Sequence, residues 1–549
     1  MSWKLYKKAR EILAQEKGSI KKSFGGKLSI ALIYPNTYYI GMSNLGFQKV
    51  YSLLNQDNDI LCERGFLPDP GDIPLYEQQH IPLFSLESQT PLKEFHILAF
   101  SLSFELDYLQ VLKILELTQI PLFSHQRDNS HPLVIAGGIC AMTNPEPLAD
   151  FIDLFLIGEG EALMPEVLNC LRGNAGGWGI DRRALTHNLA CLPGVYYPAG
   201  YSVKYKEGNL FCGSEPSPAM PGRVERQWLK NVDQSPTSSQ IITPNTEFSD
   251  IFLVEIGRGC TRKCRFCLSG SLYKPVRFYA AETILSQVKK GLQYTKRIGL
   301  ISPDLTSFPD LLSLCQEIIS LGGEISAPSL RIDKISAPLL TLLASGGQKT
   351  IALAPEAGTE RLRKVINKDI SDEEILEGIA LAFNAGITHL KLYFLIGLPT
   401  ETQEDIAAIG QLARKIKHIG QKTFKTRKFA GNITLSLTPF VPKPLTPFQL
   451  VGMDTIGSLK AKIKYIKQDL VKMDNVSVIH DLPKWSFIQA LLARGDRLVG
   501  NLLYAAHRLE GNWPQAIKET NINPEYYVYR QRDEHEPRPW QVLEANLES

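Results

Sequence analysis

Three cysteines within eight residues carry the strongest chemical signal in the sequence. They are Cys260, Cys264 and Cys267, in the stretch GRGCTRKCRFC. Three thiolates on one loop can hold zinc or an iron–sulfur cluster, or the cysteines can simply be buried without a ligand. Structural zinc takes four ligands, and the next cysteine, Cys315, lies inside a predicted helix. A 4Fe-4S cluster on three cysteines keeps one iron open for a substrate or cofactor, and the flanking Gly, Arg and Lys suit a loop better than a core.

Composition sets broad limits on the protein. With 549 residues, of which 44 % are hydrophobic, the chain is long enough for several cores. A formal net charge of +3 is close to neutral for a chain of this size, so it gives no indication for or against binding to nucleic acid. No stretch approaches the roughly 20 uninterrupted apolar residues that would span a bilayer, and the opening residues lack the apolar core of a signal peptide. We therefore expect a cytoplasmic location, where clustered cysteines bind metal more often than they form disulfides.

Two series of apolar runs alternate with helical patterns and predict parallel sheets covered by helices. The runs of the first series are KLSIALIYPN, FHILAFSLSF, HPLVIAGGIC and FIDLFLIGEGE. Those of the second series are IFLVEIG, RIGLIS, EISAPSLR, KTIALAPE, HLKLYFLIG and NITLSLTPF. Six βα units with short loops favour a partial TIM-type barrel, whose chemistry lies at the carboxyl ends of its strands. The cysteine loop directly follows the first of these strands.

The predicted domain order follows from these two series. A leader helix precedes a doubly wound, Rossmann-like α/β domain. A connecting segment rich in Gly, Pro and Ser, with a small β piece, then leads to the partial barrel. A mostly helical region without a catalytic motif follows the barrel. The predicted boundaries are 1–26, 27–173, 174–246, 247–446 and 447–549.

The cysteine spacing resembles the signature of radical S-adenosylmethionine (SAM) enzymes. In that superfamily the motif, with an aromatic residue at the position of Phe266, follows the first strand of a partial βα barrel. The resemblance implies that the three cysteines hold a 4Fe-4S cluster and that SAM chelates its fourth iron. It also implies one-electron cleavage of SAM to a 5′-deoxyadenosyl radical, and an electron donor such as flavodoxin or ferredoxin.

Further residues along the barrel resemble SAM contacts of this superfamily. Arg331, in SLRIDK, lies where related enzymes use an arginine toward the SAM carboxylate, a role that suits a bidentate guanidinium. Glu356 takes the place of an acidic SAM contact, and Gly397 and Pro399 occupy the turn that flanks the adenine. The ordinary alternatives are surface ion pairs for Arg331 and Glu356 and a plain turn for Gly397.

One element departs from the superfamily pattern. The Gly-Gly-Glu-like motif that often follows the second strand and binds the SAM amino group is absent, and LISPDLTSF stands in its place. Ser302 and Asp304 are the residues of this stretch that could replace it.

The first domain resembles the cobalamin-binding-like domain that precedes many radical SAM barrels. The resemblance lies in a glycine pair, a Pro-Glu segment and a Gly-Glu-Gly-Glu turn, which are Gly137 and Gly138, Pro145 and Glu146, and Gly158–Glu161. The two glycines of the pair and Gly158 would let the backbone approach a corrin. The alternative is that the pair forms a tight turn and the domain is only a scaffold.

The loop after the first strand qualifies this cobalamin prediction. Cobalamin domains that replace the lower axial ligand carry Asp-x-His-x-x-Gly there, whereas this loop reads PNTYYIGMSNLGFQKV and has no histidine. Cobalamin is therefore a candidate second cofactor that would lack a histidine ligand from this motif. The overall pattern is similar to a bacterial radical SAM family with an N-terminal cobalamin-binding-like domain.

The leading functional prediction is a radical SAM enzyme that modifies a C–H bond, with cobalamin-dependent methyl transfer as its specific form. One alternative is methylthiolation of tRNA or a ribosomal protein, which would need a second cluster on N-terminal cysteines. Cys62, Cys140 and Cys170 are scattered, so we interpret them as small buried hydrophobes. A non-enzymatic redox sensor is the other alternative. The basic stretches KTFKTRKF and SLKAKIKYIK leave nucleic acid open as a partner, and no motif indicates the substrate.

Overall fold

The computed structural model describes residues 2–173, 181–327, 330–425 and 431–543. Residues 174–180, at the start of the predicted connecting segment, and 544–549, at the end of the predicted helical region, lie outside the described residues. So do residues 426–430, TRKFA, which include part of the first basic stretch. Within the described ranges, no helix is long and apolar enough to cross a membrane.

A six-stranded sheet forms the first part of the fold. Its strands run in the order β2-β1-β3-β4-β5-β6, with the first five parallel and β6 antiparallel. Every residue of β1 is buried, as expected for a continuous apolar run covered on both faces. The bounds are β1 (Leu28–Tyr34), β2 (Ile60–Phe66), β3 (Ile97–Ser101), β4 (Leu133–Gly137), β5 (Leu154–Leu156) and β6 (Val195–Tyr196).

Helices connect these strands and cover the sheet. The long helix after β1 begins at an N-cap, Asn44, whose side chain accepts a hydrogen bond from the backbone N–H of Phe47 at 2.9 Å. The bounds are α1 (Ser2–Ala14), α2 (Tyr38–Met42), α3 (Leu45–Gln56), α4 (Ile73–Gln78), α5 (Tyr108–Leu117), α6 (Gly160–Gly173) and α7 (Arg182–Ala190).

The connecting segment joins both halves of the molecule. It contains an antiparallel hairpin of β7 (Tyr201–Lys206) and β8 (Leu210–Pro216), the predicted small β piece. Isolated bridges pair its Gln227 with Gly158 of the first domain and its Ser238 with Val254 of the barrel. The segment therefore fixes the first domain against the barrel through backbone hydrogen bonds.

Parallel strands in two sheets form the partial barrel, in the orders β13-β12-β9 and β14-β15-β16-β17. A short antiparallel pair, β10 and β11, lies beside the first sheet. The six predicted strands are all present. The bounds are β9 (Ile251–Glu255), β10 (Gly257–Arg258), β11 (Arg277–Phe278), β12 (Arg297–Ile301), β13 (Glu324–Ser326), β14 (Thr350–Glu356), β15 (His389–Ile396), β16 (Ile433–Pro439) and β17 (Val476–His480).

The strand β17 differs from the prediction, which gives a mostly helical region after the barrel. It pairs in parallel with β16, and half-buried and exposed side chains alternate along it, as in an edge strand. NVSVIH is short and follows a basic helix. Its apolar alternation is therefore a weak signal by itself.

The remaining helices pack around the barrel and against the first domain. The capping boxes at Ser371 and Thr402 explain where two barrel helices begin. The bounds are α8 (Leu268–Leu272), α9 (Ala281–Gly291), α10 (Leu311–Ser320), α11 (Ala337–Ser345), α12 (Glu360–Val365), α13 (Asp372–Asn384), α14 (Gln403–Thr423), α15 (Ile456–Leu470), α16 (Pro483–Arg494), α17 (Arg497–Arg508), α18 (Trp513–Thr520) and α19 (Pro524–Val528). The predicted fold class is confirmed: a Rossmann-like domain, a partial βα barrel and a mostly helical C-terminal region.

Candidate active site

The cysteine loop leaves the carboxyl end of β9 and is closed at its base. The base is the two-residue ladder in which Gly257 pairs with Phe278 and Arg258 with Arg277. Gly259 follows at φ +83°, and a Cβ there would lie 2.0 Å from the carbonyl oxygen of Tyr273. Only glycine fits this close approach of two backbone segments, so the ladder and the glycine together hold the loop at the strand end.

A second anchor fixes the far side of the loop. The backbone N–H of Arg265 donates to the carbonyl of Ile366 at 3.0 Å, and the N–H of Phe448 donates to the carbonyl of Arg265 at 3.2 Å. Phe266 packs against a separate apolar cluster. The members of that cluster are Ala357, Leu362, Ile366, Leu398, Phe440 and Phe448. The aromatic residue of the motif thus has a structural role in seating the loop on the barrel.

The three thiols of the loop are all partly exposed. Burial raises the pKa of Cys264 to about 11 and raises that of Cys260 as well. Two cations oppose this rise: the charge of Arg331 acts on both thiols, and that of Lys368 acts on Cys264. The structure therefore brings positive charge next to the thiols, where it favours the thiolates that iron binds.

The donor set of the loop fits an iron–sulfur cluster better than a single metal ion. Among the residues that the structure describes, no three His, Cys, Asp or Glu side chains converge on one point. A cubane cluster does not need such a point, because each cysteine binds a different iron. Soft thiolates on an open loop are the ligands that such clusters take.

Unsatisfied buried atoms lie beside the thiols. Arg331 donates from Nη2 to Asp333 Oδ2 at 3.0 Å, and Arg262 lies 3.7 Å from the same oxygen. The Nε atoms of both arginines and Oδ1 of Asp333 are buried without a partner. Buried polar groups are normally hydrogen-bonded, so a charged ligand such as SAM would supply the partners that these atoms lack.

Glu356 occupies a strained backbone position beside the cysteines. Its φ of +67° is uncommon for a residue other than glycine, and the pairing of β14 with β15 shifts register at this point. The carboxylate forms an ion pair with Lys368 at 3.0 Å, and both side chains are nearly buried. This is a buried pair next to Cys264, unlike the surface pair considered as the alternative.

Asp304, one of the two residues considered in place of the missing Gly-Gly-Glu motif, lies beside Cys260. It is buried, and it accepts hydrogen bonds from Ser307 at 2.6 Å and Thr306 at 2.8 Å. Its Oδ2 lies 3.9 Å from Sγ of Cys260. Ser302 accepts instead from the backbone N–H of Asp304 at 3.4 Å and orients that residue.

Gly397 has a packing explanation within the protein. Its φ is +78°, and a Cβ there would lie 2.8 Å from the side chain of Leu459. Its backbone N–H donates to Glu401 at 2.8 Å. These contacts explain it as a turn glycine, while Pro399, two residues on, is half-buried in the same turn.

A cavity of about 640 Å³ lies between the strand ends of the first domain and those of the barrel. Its walls are mostly apolar, and no histidine is among the lining residues that the structure describes. The three glycines predicted to approach cobalamin line it, together with two glycines at the base of the cysteine loop. These lining residues are Gly137, Gly138, Gly158, Gly257 and Gly259.

Protein contacts explain two of the first-domain glycines. A Cβ at Gly138, where φ is +105°, would lie 2.5 Å from the carbonyl of Leu102, and one at Gly158 would lie 2.2 Å from that of Gln227. Gly137 is different, because a Cβ there would meet nothing closer than 3.6 Å. Gly138 therefore fits the tight-turn alternative, and only Gly137 leaves space on the cavity side.

The carboxylates of the first-domain motifs are engaged by arginines from elsewhere in the chain. Glu146 pairs with Arg497 of α17 at 3.1 Å. Glu159 and Glu161 pair with Arg258 of the barrel at 3.0 Å and 2.6 Å. Sequence reasoning missed these pairs, because nothing in the local pattern relates residues so far apart.

The N-terminal cysteines do not form a second thiolate site. Cys62 and Cys140 are buried, and burial raises the pKa of each thiol well above its usual value. Cys170 is partly exposed on α6, and burial raises its pKa too. These side chains are therefore small hydrophobes with protonated thiols.

Two family models match the chain. The model described as radical SAM superfamily matches residues 254–413, which include the cysteine loop and most of the barrel. The model described as radical SAM proteins, N-terminal, matches residues 46–198.

Individual relatives agree with these matches. An uncharacterized protein of Methanocaldococcus jannaschii is 31 % identical over 484 residues, which cover 86 % of this chain and 90 % of that protein. A putative methylthiotransferase of the same organism is 22 % identical over 294 residues, covering 51 % of this chain and 56 % of its own. Among solved structures, TsrM of Kitasatospora setae superposes with a TM-score of 0.50 at 13 % identity, covering 77 % of this chain and 75 % of its own. That likeness concerns the fold.

Proposed function

The chain belongs to the radical SAM superfamily, and we propose that it is a radical SAM methyltransferase that uses cobalamin to carry a methyl group to carbon. As a member of that superfamily it is an enzyme that uses a 4Fe-4S cluster and SAM. The methyl transfer and the use of cobalamin are the proposed part.

The observation that carries the proposal is the cavity between the two sets of strand ends. It is large, mostly apolar and continuous with the base of the cysteine loop, so a ligand there would lie beside the SAM site. Doubly wound sheets bind their ligands at this edge. The resemblance of the first domain to cobalamin-binding-like domains motivates the choice of cobalamin as the ligand. The fold likeness to TsrM, which is described as a radical SAM methyltransferase, motivates the choice of methyl transfer.

The residues around the thiols have proposed roles that follow from their contacts. Cys260, Cys264 and Cys267 would hold the cluster, which with SAM supplies the radical chemistry of the superfamily. Arg331, held by Asp333, has its free Nε available for the carboxylate of SAM. Asp304 would accept from the amino group of SAM, since it is an acidic group beside Cys260.

Four residues have supporting roles in this proposal. Glu356 would act mainly by holding the cation of Lys368 next to Cys264, and Phe266 by sealing the loop against the barrel. Gly397 and Pro399 would shape the wall beside the adenine. These roles position ligands and exclude water rather than transfer protons.

An external electron donor completes the proposal. The cysteine loop exposes Thr261, Lys263 and Arg265 to solvent, and two of these three residues are basic. A flavodoxin or ferredoxin, both small and acidic carriers, would find charge complementarity there.

Anaerobic assays test the proposal directly. Protein reconstituted with iron, sulfide and hydroxocobalamin should retain cobalamin through gel filtration and, with reductant, consume SAM labelled in its methyl group. Label should appear on the retained cobalamin. The variant Ala99→Phe, which fills the cavity wall, should lose cobalamin but keep the cluster. A wild-type protein that binds SAM and cleaves it but never retains cobalamin would overturn the methyl-transfer proposal.

Methylthiolation is the second candidate, and the curated relatives of that description favour it. Such enzymes need a second cluster, whereas Cys62 and Cys140 are buried with raised thiol pKa values. Iron analysis separates the two candidates, since methylthiolation requires two clusters per chain and methyl transfer requires one.

A further inference from the structure

We infer that Glu159 is a positioning residue that ties the base of the cysteine loop to the first domain and so sets the geometry of the cluster site. The inference rests on the cluster site of the proposed function but not on cobalamin. Glu159 belongs to the Gly-Glu-Gly-Glu turn, whose resemblance suggested a cofactor contact instead.

Both residues at the base of the loop reach this one carboxylate. Arg277 donates to its two oxygens, at 2.6 Å and 3.0 Å, in a bidentate pair. Arg258, the cross-strand partner of Arg277, donates to the same carboxylate at 3.0 Å. The two ends of the loop are therefore joined through a side chain of the other domain, in addition to their own short ladder.

The surrounding charges make this arrangement stiff. Arg258 also binds Glu161 at 2.6 Å and Glu255 at 2.9 Å, and the Glu159 side chain is only 4 % exposed. Breaking a buried ion pair by removing one partner leaves an uncompensated charge, which is far more costly than losing a surface pair. Loss of the Glu159 charge would therefore force both arginines to rearrange.

The turn that carries Glu159 is itself held rigidly. Its backbone N–H donates to the carbonyl of Gln227 at 2.9 Å, and its carboxylate accepts from the N–H of Leu229 at 3.1 Å. On the other side, one residue, Gly259, separates Arg258 from Cys260. A displacement of Arg258 would reach the first cysteine through a single closely packed glycine.

A second buried pair between the two domains provides a matched control. Glu105 of the first domain pairs with Lys443 near the end of β16, and both side chains are nearly buried. Within the described residues, neither side chain of this pair has a hydrogen bond or ion pair with the cysteine loop. Glu105→Gln therefore removes the same kind of interdomain charge without touching the base of the loop.

The test compares Glu159→Gln with Glu105→Gln in the full chain. We expect both variants to unfold at lower temperature. Only Glu159→Gln should alter the EPR signal of the reduced cluster and its response to SAM. In apoprotein, iodoacetamide should also alkylate Cys260, Cys264 and Cys267 about fivefold faster in Glu159→Gln, measured by mass spectrometry, because the base of the loop is looser.

The conservative variant Arg277→Lys provides a second test in case Glu159→Gln does not fold. It keeps the positive charge but loses the bidentate geometry, so it should show a weaker form of the same spectroscopic change. Identical EPR signals and alkylation rates in all variants and wild type would overturn the inference. A wild-type protein that assembles no cluster would instead refute the proposed function, while the alkylation rates of the apoprotein would still test the positioning role.

Discussion

The strand ends of the barrel and the strand ends of the first domain face one cavity, yet their chemistry differs. The barrel edge places thiols beside two buried cations and two carboxylates, with several polar atoms left unsatisfied. The first-domain edge presents glycines and apolar walls. Its motif carboxylates, Glu146, Glu159 and Glu161, are already paired with arginines.

The comparison shows that similar βα architecture can serve two purposes in one chain. The barrel edge carries the groups that could bind and react, namely partly exposed thiols and unpartnered polar atoms. The first-domain edge lines the cavity with apolar groups. Its charged side chains bind arginines of the barrel and of the C-terminal region and so hold the domains together. Fold similarity alone would have assigned a cofactor contact to the Gly-Glu-Gly-Glu turn, whereas its side-chain partners indicate a joint between domains.

Removal of the thiols should give the largest effect. Replacing Cys260, Cys264 and Cys267 with alanine should abolish iron and sulfide incorporation, because no other three cysteines come together among the described residues. Iron and sulfide analysis after anaerobic reconstitution measures this. The double variant Cys191→Ala, Cys212→Ala is the control and should retain a full cluster. A triple variant that still held a cluster would contradict its assignment to the cysteine loop at the barrel edge.

Loss of the charged neighbours should weaken SAM binding while leaving the cluster in place. Arg331→Ala should raise the Kd of SAM by about tenfold or more, since a hydrogen bond to a charged group contributes about 1.5–3 kcal/mol. Glu356→Gln should raise the Kd by less, because this carboxylate acts through Lys368. Equilibrium binding to the reconstituted protein measures the change. Arg414→Ala, which removes an exposed pair with Asp469, is the control. Unchanged affinity in both site variants would contradict their placement.

EPR spectroscopy of bound cobalamin tests the interpretation of the first-domain edge. No histidine lines the cavity in the described residues, so cobalamin bound there should have no imidazole ligand from this chain. The EPR spectrum of the Co(II) form should then show no nitrogen hyperfine coupling from a protein histidine. Observation of such coupling would mean that the cofactor sits elsewhere or that the domain rearranges around it.

The smallest predicted effect concerns a buried acid of the first domain. Burial raises the pKa of Asp107 to about 6 from 3.8, although a hydrogen bond from Asn36 opposes the rise. The native state therefore holds this proton more tightly than the unfolded state does. Its stabilising contribution is complete below pH 3.8 and is lost as the pH rises through about 6.

Asp107→Asn tests this titration. In wild type, the free energy of unfolding should fall between pH 4.5 and 7.5 as Asp107 loses its proton. In the variant this fall should be smaller by about 1–3 kcal/mol. Urea unfolding at both pH values measures the difference, with Asp59→Asn at an exposed position as the control. Parallel pH profiles of wild type and Asp107→Asn would show that the acid does not titrate as stated.

Most secondary structure could be predicted because it depends on neighbouring residues. Continuous apolar runs predicted both series of buried strands, and six barrel strands appear where expected. β17 was missed because its short alternating pattern gains meaning only beside β16. The short strand β6 was likewise not expected to join the first sheet, since its two residues carry almost no local signal.

The sequence by itself determined the thiol spacing, the helix caps and the alternation of strands and helices, since covalent geometry and short-range hydrogen bonds govern these features. Only the tertiary structure decided which partner each charged side chain has. Glu356 is held by Lys368, and Glu159 by two arginines about a hundred residues away in the chain. Such pairs form because packing buries the charges together, where an unpaired charge would be too costly, and local sequence contains no record of that choice.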